Sequence, residues 1–147
     1  MTTAHYLALW QEARTRFSNQ LQAVTAQDLH KKLGTSPNSA GFLIRHIADV
    51  ELLFAKNVFK KSDVQVVART VIDKRDTGEW TNLTDLLAYQ QTAFEHLRAA
   101  IQATADWDGT ITTPEFGTKT KAEALGRIVS HTAYHAGQLA MVLKYGN

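Results

Sequence analysis

The feature that most constrains this chain is the recurrence of apolar residues, three and four apart, in four separate segments. In the first, from Thr3 to Val24, they are Tyr6, Leu9, Trp10, Ala13, Phe17, Leu21 and Val24. A helix turns once every 3.6 residues, so this spacing gathers them on one side. The second segment runs to about Lys60 with Leu43, His46, Ile47, Val50, Leu53, Phe54 and Asn57. Ser36 is its expected cap, with Pro37 at the first helical position, where a missing N–H costs nothing. The third begins near Leu83, capped by Asn82 or Thr81, and carries Leu86, Leu87, Ala93, Phe94, Leu97, Ala100 and Ile101. The fourth opens on Thr120, Lys121, Ala122 and Glu123, a capping-box pattern, and ends near Tyr145 with Gly146 available for the terminal turn.

Helices with one apolar stripe each must bury those stripes against one another, which predicts an all-α chain arranged as a four-helix bundle. Two stretches lack helical period. Lys61 to Asn82 is a long connection, and Ala105 to Lys119 carries turn residues Gly109, Pro114 and Gly117 with room for a short hairpin. The shorter link after the first helix predicts that helices one and two are antiparallel neighbours. The second link is long enough to return along a helix. An up-down-down-up bundle is therefore at least as well supported as the alternating one. The whole of 1–147 is expected to form a single domain.

With 44% hydrophobic and 20% charged residues, the composition is that of an ordinary globular protein. The net charge is only +2, and the one basic cluster, Lys119 to Lys121, is too short for a nucleic-acid surface. No stretch reaches the roughly 18 apolar residues of a membrane span. The first residues lack the basic start and apolar run of a signal peptide. There is no cysteine, which excludes disulfides, thiolate zinc sites and a thiol nucleophile from the protein itself. That absence fits a reducing cytoplasm, the expected location.

Six histidines are present. His30 lies in a polar connection, and His5 and His96 fall beside their stripes; these three read as solvated. His46 lies within its stripe. His131 and His135 share a face with Leu125, Ile128 and Val142, because positions i and i+4 are only about 40° apart around a helix. Each could be a core imidazole bonded to a neighbour. Three in one helical array demand more partners than an apolar interior offers, and a shared divalent cation would satisfy one nitrogen of each. The residue after His131 is Thr132, so the zincin protease pattern is absent. No Glu has a His three residues later, which removes the di-iron pattern.

Two stretches, "PNSAGFLIRHIADVE" and "IVSHTAYHAGQLAMVLKYG", resemble the DinB-like (DinB/YfiT) family of metal-binding four-helix proteins. The layout agrees over nearly the whole chain. The resemblance implies that His46, His131 and His135 bind a divalent metal, and that the protein forms a homodimer. Characterised members include transferases that use a thiol such as bacillithiol or mycothiol, and a thiol-dependent isomerase. In one place the pattern departs. Many members have Arg after the last histidine, where this chain has Ala136.

Three neutral ligands leave a coordination position open, as in catalytic zinc sites. Zinc and nickel are the expected ions, since both accept imidazole. Such an ion acidifies bound water or holds a thiol as thiolate. Without cysteine, that thiol must come from a low-molecular-weight cosubstrate. The leading expectation is thus a metal-dependent transferase acting on a small-molecule substrate. A metal-dependent hydrolase is the alternative, with Asp49, one turn after His46, as candidate base or else a solvated carboxylate. A third is a non-catalytic stress-response or binding protein whose metal is structural. Tyr134 and Gln138 flank the ligands and are candidates to orient a histidine or a substrate. Gly137 costs helix stability, which close approach by another helix would explain.

Overall fold

A computed structural model describes residues 1–147. Its elements are α1 (Thr3–Leu21), α2 (Ala40–Leu53), α3 (Arg69–Ile72), α4 (Leu83–Gln102), β1 (Thr110–Thr113), β2 (Gly117–Thr120) and α5 (Lys121–Tyr145). The long helices α1, α2, α4 and α5 correspond to the striped segments. The strands form a short hairpin in the Ala105 to Lys119 stretch, as expected, and extend it by one residue, pairing Thr110 with Thr120 and Thr113 with Gly117.

Capping explains most helix boundaries. The Thr120 hydroxyl accepts from the Glu123 N–H, and the Glu123 carboxylate accepts from the Thr120 N–H. Asn82 caps α4 through the Asp85 N–H. The expected cap of α2 is displaced: Ser39, not Ser36, accepts from the Phe42 N–H. An antiparallel bridge between Lys32 and Ser39 closes the intervening residues, Ser36 among them, into a loop, and Asp76 accepts from both the backbone and the hydroxyl of Ser39. Helix α2 continues into a π turn from Phe54 to Val58. The wider turn shifts the buried face to Ala55, Val58 and Phe59, and leaves Asn57 exposed.

On α1 the stripe differs at two places. Leu9 is 55% exposed, and Arg14 is buried instead. Arg14 points across the core to Glu51, with Nε 2.9 Å from Oε2 and Nη2 3.0 Å from Oε1. Its other donors reach Ser18 and the side chain of Gln90. The pair is thus held by a complete set of hydrogen bonds, as buried charges require.

Helix α1 packs mainly on α5 and α2 mainly on α4, while α2 also packs on α5 and α1 on α4. Helices α1 and α2 are therefore not the packed neighbours expected from their connection. That connection is no tight hairpin. It buries Leu29, and Lys32 exchanges two backbone hydrogen bonds with Asn147, so the chain passes the end of α5 before α2 begins. Thr3 at the start of α1 bonds the Thr104 carbonyl beyond α4, and Gln20 late in α1 bonds the Ala136 carbonyl late in α5.

The apolar core divides into two clusters. One contains Trp10, Val50, Leu97 and Ile128; the other contains Phe17, Leu43, Ile47 and Leu139. Along α5, His131 and His135 fall between the two clusters, and on α2 His46 lies one turn before Val50 of the first. No helix is long and apolar enough to cross a membrane.

Candidate metal centre

His46, His131 and His135 converge from α2 and α5, with one nitrogen of each within 4.8 Å of the others. All three are half-buried rather than sealed in the core. The fully buried line along α5 is Leu125, Ile128, Thr132, Ala136, Leu139 and Val142, so the imidazoles stand at its edge. His131 and His135 line a cavity of about 390 Å³ together with Val50, Phe54, Glu115, Arg127, Ser130 and Tyr134.

The hydrogen bonds assign the ring nitrogens. Thr70 donates its hydroxyl proton to Asp49 Oδ2 over 2.7 Å. Its oxygen, 3.0 Å from His46 Nδ1, then has only acceptor capacity left, so Nδ1 carries the proton and Nε2 is bare. His135 Nδ1 lies 2.7 Å from Gln138 Oε1 and donates to it, which frees its Nε2 likewise. His131 Nε2 is 3.2 Å from His46 Nε2, and His131 Nδ1 is buried without a partner.

This arrangement fits a cation. Two nitrogens about 2.0–2.1 Å from a tetrahedral zinc are roughly 3.3 Å apart, close to the observed spacing. The rings also favour the neutral form that ligands need. Burial lowers the His46 pKa to about 4, helped by His135 and opposed by Asp49. Burial lowers that of His131 to about 3, with His135, His46 and Arg127 adding repulsion. Burial lowers His135 too, against the pull of Gln138.

Asp49 is neither solvated nor free to act as a base. It is fully buried and accepts four hydrogen bonds: Arg45 Nε at 2.9 Å and Tyr89 Oη at 2.6 Å on Oδ1, Thr70 N at 3.1 Å and Thr70 Oγ1 at 2.7 Å on Oδ2. A carboxylate has about four acceptor sites, and all are taken. Burial and the bond to Asp49 push the Tyr89 phenol upward, so it stays a donor. The Arg45 guanidinium lies 3.7 Å from the Tyr89 ring centre and 4.7 Å from that of Trp80.

Tyr134 is 65% exposed and packs edge-on against His135. Ala136 is 1% exposed and belongs to the Phe17 cluster. The residue after the last histidine therefore faces the core, and the cation at the cavity is Arg127. No atom outside its own turn comes within 4 Å of where a Gly137 Cβ would stand, so no helix of this chain approaches there. His5 and His30 are exposed and His96 is half-buried; none joins the cluster. Thr70, Tyr89 and Arg45 were not legible as site residues. Thr70 lies in the aperiodic connection, and only the placement of α3 brings it to His46.

A model of the DinB superfamily matches residues 9–139. The chain belongs to that family. Among solved structures it is similar to a mycothiol-dependent maleylpyruvate isomerase, with a TM-score of 0.72 and 19% identity over 95% of this chain. A histidine-to-alanine variant of that isomerase matches with a TM-score of 0.62 and 20% identity. Those matches show a shared DinB-like fold. The chain spans 61% of the isomerase's length. No curated protein matches it.

Proposed function

We propose that this DinB-superfamily protein is a metal-dependent transferase that uses a low-molecular-weight thiol. The observation that carries the reading is the convergence of one nitrogen each from His46, His131 and His135, with His131 and His135 lining a cavity. Zinc or nickel held there supplies Lewis acidity, which acidifies a thiol that reaches the open position. Since the chain has no cysteine, the thiol is a cosubstrate. Similarity in fold to a protein described as mycothiol-dependent supports the same chemistry. Val50 and Phe54 offer the cosubstrate an apolar wall, and Arg127 offers an anionic group a partner.

The hydrolase reading is weaker, because the four donors on Asp49 leave no acceptor for a water proton. A structural ion is disfavoured by the cavity next to the cluster, since structural sites are closed by a fourth protein ligand. The contacts of Thr3 with Thr104 and of Gln20 with Ala136 support an up-down-down-up bundle within one domain. A cytoplasmic homodimer completes the reading, in keeping with the family resemblance and the lack of cysteine.

The test is turnover and thermal shift of zinc- or nickel-loaded protein with glutathione, mycothiol and bacillithiol. A response to at least one thiol, lost in His131→Ala, is expected. Silence towards all three in metal-replete protein would overturn the proposal.

A further inference from the structure

The long connection between α2 and α4 delivers one side chain to the metal cluster: the Thr70 hydroxyl, placed by the short helix α3. Asp49 holds Thr70 by two bonds, one to its backbone N–H and one to its hydroxyl. Asp49 is itself fixed by Arg45 and Tyr89 on its other oxygen, and Arg45 also reaches the Val67 carbonyl in the same connection. Thr70 is 2% exposed and Asp49 fully buried, so water does not compete for these bonds.

The chain of donors has a fixed direction. An ionised Asp49 can only accept, so Thr70 must donate to it, and the Thr70 oxygen can then only accept. His46 Nδ1 must therefore be the donor. If Thr70 lacked its hydroxyl, the proton of neutral His46 would be free to sit on Nε2, facing the His131 nitrogen at 3.2 Å. A proton there occupies the lone pair that a cation needs.

We propose that Thr70, set by Asp49, is a positioning residue that holds His46 in its Nδ1–H tautomer and so keeps Nε2 available to a divalent ion. The inference rests on the metal-binding reading above for its consequence, though the tautomer itself is a property of the metal-free protein. Carboxylate-backed histidines are a general device for orienting a ligand ring. Here a threonine hydroxyl stands between the two, because Asp49 lies one turn along α2 and is occupied by Arg45 and Tyr89. The same carboxylate that ties the connection to α2 thereby orients a ligand.

The test uses Thr70→Val, which keeps the shape and removes the hydroxyl, and Thr70→Ser, which restores it. In metal-free protein, long-range ¹⁵N–¹H spectra of the His46 ring are expected to report Nδ1–H in wild type and Thr70→Ser. Thr70→Val is expected to show a mixed or Nε2–H ring. Competition with a chromophoric chelator should give zinc affinity about 10- to 100-fold weaker in Thr70→Val, with Thr70→Ser close to wild type. Loss of packing alone would change the thermal midpoint without changing the His46 tautomer. An unchanged Nδ1–H ring in Thr70→Val, with zinc affinity within twofold of wild type, overturns the inference. If wild type bound no zinc, the metal reading would fall, while the tautomer spectra would still decide the role of Thr70.

Discussion

The Nε2 atoms of His46 and His131 face each other at 3.2 Å, although the rings come from different helices and neither ring is expected to be charged. The hydrogen bond from His46 to Thr70 leaves its Nε2 bare. A neutral His131 then has two choices. It donates from Nε2 and leaves Nδ1 as a buried, unmatched acceptor, or it presents a second lone pair and leaves Nδ1–H unmatched. The first spends the imidazole on one bond. The second makes sense only if a cation stands between the lone pairs, and the nearby His135 nitrogen adds a third.

Removing His46 or His131 should therefore abolish stoichiometric metal binding. Elemental analysis of untagged wild type is expected to give close to one divalent ion per chain, and His46→Ala and His131→Ala close to none. Unchanged metal content in both variants would count decisively against the site.

Much of this site was legible before the structure. Spacing alone puts His131 and His135 on one strip, and the stripes put His46 on a helix able to face them. The capping signals of Asn82 and Thr120 are equally local, and both hold. What could not be read depends on contacts between distant segments. Ser39 outcompetes Ser36 because Asp76, in the next connection, braces it. Arg14 looks like a surface residue until Glu51 is found opposite it. Asp49 looks like a solvated carboxylate until Thr70 and Tyr89 arrive from other elements. Periodicity ranks positions on one helix and carries no information about which polar partner waits across the core.

Metal-free protein should lose stability on mild acidification. The pKa of His46 falls from 6.5 to about 4 on folding and that of His131 to about 3, with His135 moving the same way. Below 6.5 the unfolded chain takes up protons at these rings while the folded chain does not, so unfolding is favoured as pH drops. The contribution is intact above 6.5 and declines until the folded-state values are reached. Thermal midpoints of metal-free protein, followed from about pH 7 to pH 5 to stay above most carboxylate titration, should fall. A variant with all three histidines replaced by glutamine should show a flatter profile. Equal slopes for the two proteins would refute this account.

The Arg14 and Glu51 pair is a second buried electrostatic unit, with no hydrogen bond to the histidines. Burial pushes the Glu51 carboxyl up and Arg14 pulls it back. Arg14→Ala would leave that carboxyl without its partner and is expected to cost about 3–5 kcal/mol. Replacing both, as Arg14→Met with Glu51→Leu, should recover most of the loss. Chemical denaturation of the three proteins checks this. A double variant no more stable than Arg14→Ala would show that the pair matters for more than cancelling its own charge.

Ala136 gives the last test, because it stands where many family members have arginine. In this chain it is 1% exposed, its carbonyl accepts from Gln20 of α1, and its neighbours in the core include Phe17, Leu139 and Val142. An arginine there would need space that α1 occupies and would bring a charge among apolar groups. Ala136→Arg is therefore expected to destabilise the fold by at least about 1–3 kcal/mol, the range of overpacking alone. His131 and His135 stand at the edge of the buried line that contains Ala136, so the folded variant should still bind zinc with wild-type stoichiometry. Arg127→Gln makes the opposite change: this exposed residue lines the cavity, and its replacement should leave the denaturation midpoint nearly unmoved while weakening anionic ligands. If Ala136→Arg instead left stability intact and strengthened binding of a carboxylate-bearing thiol, position 136 would have access to the cavity, and Arg127 would not be its substitute.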